Sequence, residues 1–191
     1  MSSLLEMIKA GKSQKSIGAF LDGLSHEDRL KEINSVGGKF QSCLFQIATP
    51  DLKFSDLMPS DAKPLQEVIF YGKNSLPLFS TFQKRMALSG SGDGSKVWGY
   101  NFQTFQKITG PGCFVIDEAT DRPGEIMVDY TRLPKENVAG WPEIKSNETG
   151  LTKLVYGYMK DYLRRVSKNV FIGEATKKGK SIGQYFILCR Q

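Results

Sequence analysis

The sequence predicts an α+β protein: an antiparallel β-barrel or strongly curved sheet of about seven strands, with short N-terminal helices and one late helix. Three observations carry that reading. Apolar residues recur at helical spacing through the first ~50 residues and then switch to a period of two from about Leu65. Clusters of glycine, proline and asparagine separate the alternating runs. A late segment, 150–166, is apolar around most of a helix circumference.

Leu4, Leu5 and Ile8 outline a first helix that stops at Gly11, a residue suited to a C-terminal cap. Ile17, Phe20, Leu21 and Leu24 form a second stripe, with Gly23 near its end. Ser25 three residues before Asp28 reads as a capping box, with Asp in place of the usual Glu, opening a helix through Leu30 and Ile33. Phe40, Cys43, Leu44 and Ile47 repeat the spacing until Thr49-Pro50, where the residue before proline is driven out of helical conformation. Helices this short do not persist alone. The chain is therefore expected to be a single domain over 1–191, with 1–60 a helical extension packed on a β-rich 61–191.

The expected strands are 66–73, 78–88, 96–108, 113–119, 125–131, 168–177 and 182–190. Asn74-Ser75, the "SGSGDGS" stretch at 89–95, Gly110-Pro111-Gly112, the Asp121 to Gly124 turn and Gly179 divide them. Between the fifth and sixth, "GLTKLVYGYMKDYLRRV" follows Asn147 and Thr149, both good N-caps. As a helix it would set Leu154, Val155, Tyr158 and Tyr162 against the sheet and leave Lys153, Lys160, Arg164 and Lys168 on a solvent strip.

Composition narrows the function. No apolar run approaches the ~20 residues that span a bilayer, and "MSSLLEMIKAGKSQK" lacks the core of a signal peptide, so a cytoplasmic protein with no membrane span is expected. Cys43, Cys113 and Cys189 are odd in number and without metal-ligand spacing, which reads as reduced thiols and no metal. His26 is the only histidine, so a His-ligated metal and a Ser-His or Cys-His nucleophile pair in the β-rich half are excluded. There is no Walker A loop and no strand-to-helix dinucleotide fingerprint, so no cofactor is expected. The net charge of +6 is concentrated in residues 151–191, which carry nine Lys and Arg against two acids. Such a stretch is either a solvated face or a footprint for an anionic partner; no nucleic-acid motif accompanies it, and no nucleic acid is expected.

Two stretches carry candidate site residues. In "VWGYNFQTFQKI", 97–108, alternation separates Trp98, Tyr100, Phe102, Thr104 and Gln106 from Gly99, Asn101, Gln103, Phe105 and Lys107. The aromatic row is expected to face inward as the wall of a ligand cavity, with Thr104 and Gln106 orienting the ligand. Phe70, Phe79, Phe82, Phe114, Phe171, Tyr185 and Phe186 would add apolar wall. In "GEIMVDYTRLP", 124–134, the two rows are rivals. Asp129 facing inward would be a catalytic base, whereas Tyr130 and Arg132 facing inward would bind an oxyanion. The apolar row Ile126, Val128 and Tyr130 is the better candidate for the interior. Arg165 is favoured over Arg164 for an internal partner.

The strand-rich segment 65–191, the single late helix and the closing strand resemble lipocalin-type (calycin-like) β-barrels. That family carries a Gly-x-Trp near the start of its first strand; here Trp98, in "VWGY", follows two earlier strands. By the same resemblance Arg190 is expected to pack near a tryptophan, as an arginine does in those barrels. The resemblance implies an internal cavity for a small, mostly apolar molecule. The leading expectation is thus a small-molecule binding protein. The alternatives are a cofactor-independent isomerase, cyclase or lyase on the same barrel, and a module that meets phosphate or anionic lipid through its basic C-terminal face.

Overall fold

In the computed structural model, which describes residues 3–76, 80–90, 97–103 and 110–191, eight antiparallel strands close into a barrel. They are β1 Val68–Asn74, β2 Thr81–Leu88, β3 Val97–Phe102, β4 Phe114–Glu118, β5 Ile126–Asp129, β6 Met159–Arg165, β7 Val170–Lys177 and β8 Lys180–Arg190. Each pairs with its neighbours in sequence, and β8 returns to pair with β1 through Phe70↔Arg190 to Asn74↔Phe186. Closure leaves no strand edge to template a further chain.

The strand count corrects the expected seven, and the added strand lies where a helix is expected. The helix read over 150–166 ends at Tyr156 (α6 in the numbering below, Gly150–Tyr156), and β6 occupies its second half. Gly157 and Tyr158, the latter at φ 58°, turn the chain out of helical geometry. A helix would set Tyr162 and Leu163 on one broad face, whereas a strand sets them on opposite faces, Leu163 in the interior core and Tyr162 against Asp121. Pairing decides between them, since β6 has partners on both sides, Ile126↔Leu163 on β5 and Leu163↔Gly173 on β7. Leu154, expected against the sheet, is 73% exposed. Of the two expected caps, Thr149 holds the N-cap position, while Asn147 is buried and donates its amide to the carbonyls of Cys113 (2.6 Å) and Tyr130 (2.8 Å).

The N-terminal helices are α1 Leu4–Lys9, α2 Gln14–Asp22, α3 His26–Asn34 and α4 Gly38–Ile47. Ser3, Ser13 and Ser25 cap the first three by accepting from the backbone N–H three residues on. The capping box expected at α3 is altered: Asp28 accepts from the Ser25 hydroxyl (2.8 Å). Leu4, Ile17, Leu21 and Leu44 pack with Val170, Ile172, Ile187 and Cys189 on the outer face of β7 and β8. Those strands are buried on both faces, which is why "NVFIG" and "YFILC" read as nearly continuous apolar runs.

A short helix, α5 Phe54–Leu57, closes one end of the barrel, and Leu52, Leu57 and Met58 join Val68, Ile126 and Leu188 in the interior core. Arg190 fastens the last strand to this plug. Its guanidinium donates to the carbonyls of Asp56 and Leu57, both at 3.0 Å, and to the Asn169 side chain. The opposite end carries the last residues of β1 and β3 together with α6 (Gly150–Tyr156). Among the described residues, no helix is long and apolar enough to cross a membrane.

Candidate functional site

The inward rows are set by three pairings of glycine with phenylalanine. Gly72 lies opposite Phe82, Gly99 opposite Phe114 and Gly173 opposite Phe186 across neighbouring strands. A Cβ on any of these glycines would overlap the partner ring. Glycine at these positions therefore lets each ring lie flat over the facing strand. The rings of Phe82, Phe114 and Phe186 thereby converge on the barrel axis, together with Tyr130.

At their focus sits the ammonium of Lys84, a side chain 2% exposed. Its Nζ lies between 4.9 and 5.8 Å from the centroids of those four rings, within cation–π range. Nζ donates to Oδ1 of Asn101 (3.1 Å), to the Tyr130 hydroxyl and to Oδ2 of Asp161 (3.2 Å). The Tyr130 hydroxyl also accepts from Nδ2 of Asn101 (3.0 Å) and donates to Oδ2 of Asp161 (3.1 Å). Three acceptors match the three protons of a charged lysine, and the hydroxyl accepts twice and donates once. The geometry is that of an ammonium–carboxylate pair.

Burial pulls both members toward neutrality. Desolvation lowers the Lys84 pKa, opposed by the charge and hydrogen bond of Asp161. Desolvation likewise raises that of Asp161, opposed by Lys84 and by the Tyr130 hydroxyl. Tyr130 is held well above the usual phenol range by burial first and then by the Asp161 charge. Removing two ions from water costs several kcal/mol each, and here charge-assisted hydrogen bonds and ring faces offset it.

Above this cluster, at the end away from α5, is a cavity of about 140 Å³ lined by Phe82, Gln103, Tyr156, Met159, Asp161 and Phe186 among others. Tyr156 stacks on Tyr130 at 5.2 Å between centroids, and its hydroxyl accepts from Nε2 of Gln103 (3.0 Å). Desolvation raises the Tyr156 pKa. Oδ1 of Asp161, in contrast to Oδ2, has no hydrogen-bond partner among the described residues.

The structure reverses the expected orientation of β3. Val97, Gly99 and Asn101 point inward, while Trp98, Tyr100 and Phe102 point outward. Trp98 and Tyr100 are nonetheless buried, Tyr100 under the edge of Trp141 (5.0 Å), and Phe102 is 43% exposed beneath Arg85. Ring size suggested the interior, but the barrel is covered outside as well, so large rings fit both faces. Of the two rival rows on β5, Ile126, Val128 and Tyr130 face inward. Asp129 faces the other way: its Oδ1 accepts from the Thr131 N–H (2.8 Å) and hydroxyl (2.6 Å), and Lys160 lies 3.5 Å from Oδ2, so it does not border the cavity as a base. Arg132 forms a surface ion pair with Asp117.

Arg165 lies at the plugged end, paired with Asp51 (3.1 Å) and Asp56 (3.3 Å) beside an open recess of about 800 Å³. Arg164, expected on a solvent strip, is the more buried of the two. It bonds Glu125 (2.8 Å) and the carbonyls of Phe45 and Ala48, because β6 alternation turns it toward the helices. Phe70, Phe82, Phe114, Phe171 and Phe186 face inward, whereas Tyr185 packs on Phe45 of α4. Phe79, Thr104 and Gln106 lie outside the described residues.

Lys84, Asn101 and Asp161 escape the sequence reading. A signal for the first two exists: Lys84 shares its row with Phe82 and Met86, and Asn101 shares its row with a strand-interior glycine. Asp161 is concealed by the helical reading of its segment. His26, the first residue of α3, is half-buried against Tyr71 and lies 3.9 Å from the Cys189 sulfur. That thiol is fully buried and its pKa is raised by desolvation, so the contact is not an activated nucleophile. Among the described residues no group of three or more His, Cys, Asp and Glu is placed to hold a metal ion. In comparisons with known proteins, the chain matches no family model, no curated protein and no solved structure.

Proposed function

We propose that the protein binds a small, mostly apolar molecule in the barrel mouth, over the Lys84–Asp161 cluster. One observation carries this reading: a cavity of about 140 Å³, walled by rings and Met159, opens above a buried ion pair inside a closed eight-stranded barrel. An eight-stranded barrel has room either for packed side chains or for one small ligand. Here the half nearer α5 is filled, and the described residues of the other half border a cavity. The closed eight-stranded antiparallel meander also supports a relationship to lipocalin-type barrels.

Native mass spectrometry of freshly purified protein, followed by extraction, tests the reading. A retained or added small apolar molecule is expected on the wild type and not on Ala175→Phe, which drives a ring into the cavity. A folded wild type that takes up no small apolar molecule would overturn it.

A second reading is favoured by the surface around α6. Leu151, Leu154 and Tyr158 are exposed there, and Lys153 and Lys178 lie 5.7 and 5.0 Å from the Tyr158 ring. Lys177 reaches the Leu154 carbonyl at 2.8 Å. Exposed apolar groups ringed by lysines suit an anionic lipid surface. Sedimentation with phosphatidylserine vesicles, weakened by salt and by Leu154→Glu, would support it; equal partition to neutral vesicles would refute it.

A further inference from the structure

We infer that the ligand carries a neutral hydroxyl group that donates a hydrogen bond to Oδ1 of Asp161, so that the preferred ligands are small alcohols or phenols with an apolar body. The inference rests on the barrel-mouth cavity being the binding site.

Every polar side-chain atom of the cluster has a hydrogen-bond partner except one. Lys84 places its three protons on Asn101, Tyr130 and Oδ2 of Asp161. Tyr130 gives its proton to the same Oδ2, which therefore accepts twice. Oδ1 accepts from none of the described residues, yet it belongs to a side chain 3% exposed that lines the cavity. A buried carboxylate oxygen is costly to leave unpaired, and only a donor satisfies it.

Charge then selects among donors. Lys84 already neutralises Asp161, so an ammonium on the ligand would bring a second cation into the barrel without a counter-ion. A carboxylate or phosphate would meet Oδ1 with like charge and find every Lys84 proton engaged. A neutral donor remains, and a hydroxyl is the smallest. Size agrees: an apolar cavity of ~150 Å³ takes benzene, and this one, at about 140 Å³, has Phe82, Tyr156, Phe186 and Met159 to pack a ring-sized body.

Calorimetric titration of the full chain at pH 7 with phenol, toluene, benzylamine and benzoate tests this. Phenol should bind about ten- to a hundredfold more tightly than toluene, as for a hydrogen bond to a charged acceptor, and both ions should bind more weakly than phenol. Asp161→Asn should bring phenol and toluene to within about threefold of each other. The wild-type series decides the matter even if that variant does not fold. Equal affinity for phenol and toluene would overturn the hydroxyl assignment and leave the cavity reading standing. Preference for benzylamine or benzoate would overturn it too, in favour of an ionic head group. Binding of none of the four would remove both.

Discussion

Replacing Lys84 by Met keeps most of the side-chain volume and deletes the ammonium from the centre of the barrel. Three hydrogen bonds go with it, and Asp161 is left with Tyr130 as its one donor among the described residues. Breaking a buried pair by removing one partner typically costs about 3–5 kcal/mol, because the other charge stays buried and unpaired. Lys84 and Asp161 are 2% and 3% exposed, so solvent screening does not soften that figure. Asp161→Leu should cost a similar amount. The double variant Lys84→Met/Asp161→Leu removes both charges, leaving mainly the unmet polar groups of Asn101 and Tyr130. It should therefore be less destabilised than the two single losses combined, by at least about 2 kcal/mol of coupling. A pH signature accompanies this. In Lys84→Met the Asp161 carboxyl, already raised by burial, rises further for want of a counter-ion. A group with a raised folded-state pKa contributes stability at low pH and loses it as pH climbs through that pKa. The variant should thus gain stability relative to wild type on going from pH 7 to pH 5. Urea unfolding followed by tryptophan fluorescence, at both pH values, reads all of this. Single losses under about 1 kcal/mol, or a double variant whose cost equals the two singles added, would refute a buried, mutually dependent pair.

Gly99→Ala puts a methyl group against the Phe114 ring and the Arg85 carbonyl oxygen, and should cost about 1–3 kcal/mol in the same unfolding assay. An unchanged midpoint would mean that β3 does not face inward as described. At alkaline pH the folded state should weaken. Tyr162 is pushed up to about 12 by burial and then by its hydrogen bond to Asp121, so its contribution is whole below the unfolded value near 10 and is lost above it. Thermal melts from pH 9 to 12 should fall less steeply for Tyr162→Phe; an identical slope would count against this. We also propose that residues 1–60 do not fold alone, since their apolar stripes pack on β7 and β8. Circular dichroism of that segment should show little cooperative melting, and a sharp transition would contradict it.

The sequence by itself determined the elements whose rules are local. Ser25 at a helix start, proline and glycine at the breaks, and a change of period near Leu65 locate four helices and seven of the eight strands, because caps and turns depend on residues a few positions apart. Tertiary structure decided what depends on distant partners. Alternation divides β3 into two rows but carries no sign, and helices and loops packed outside the barrel bury rings on both faces. What turns Gly99 inward is the Phe114 ring on the neighbouring strand, a constraint of space between strands. The same holds for β6, where three successive buried residues, Asp161 to Leu163, mark neither period and the ladders to β5 and β7 make the segment a strand. Lys84 and Asp161, 77 positions apart, become one ion pair only when the last strand closes on the first. The row that Lys84 shares with Phe82 and Met86 is its one local mark, and Asp161 has none, since burial of a charge is tolerated only where its partner, its hydrogen bonds and its ring faces arrive together.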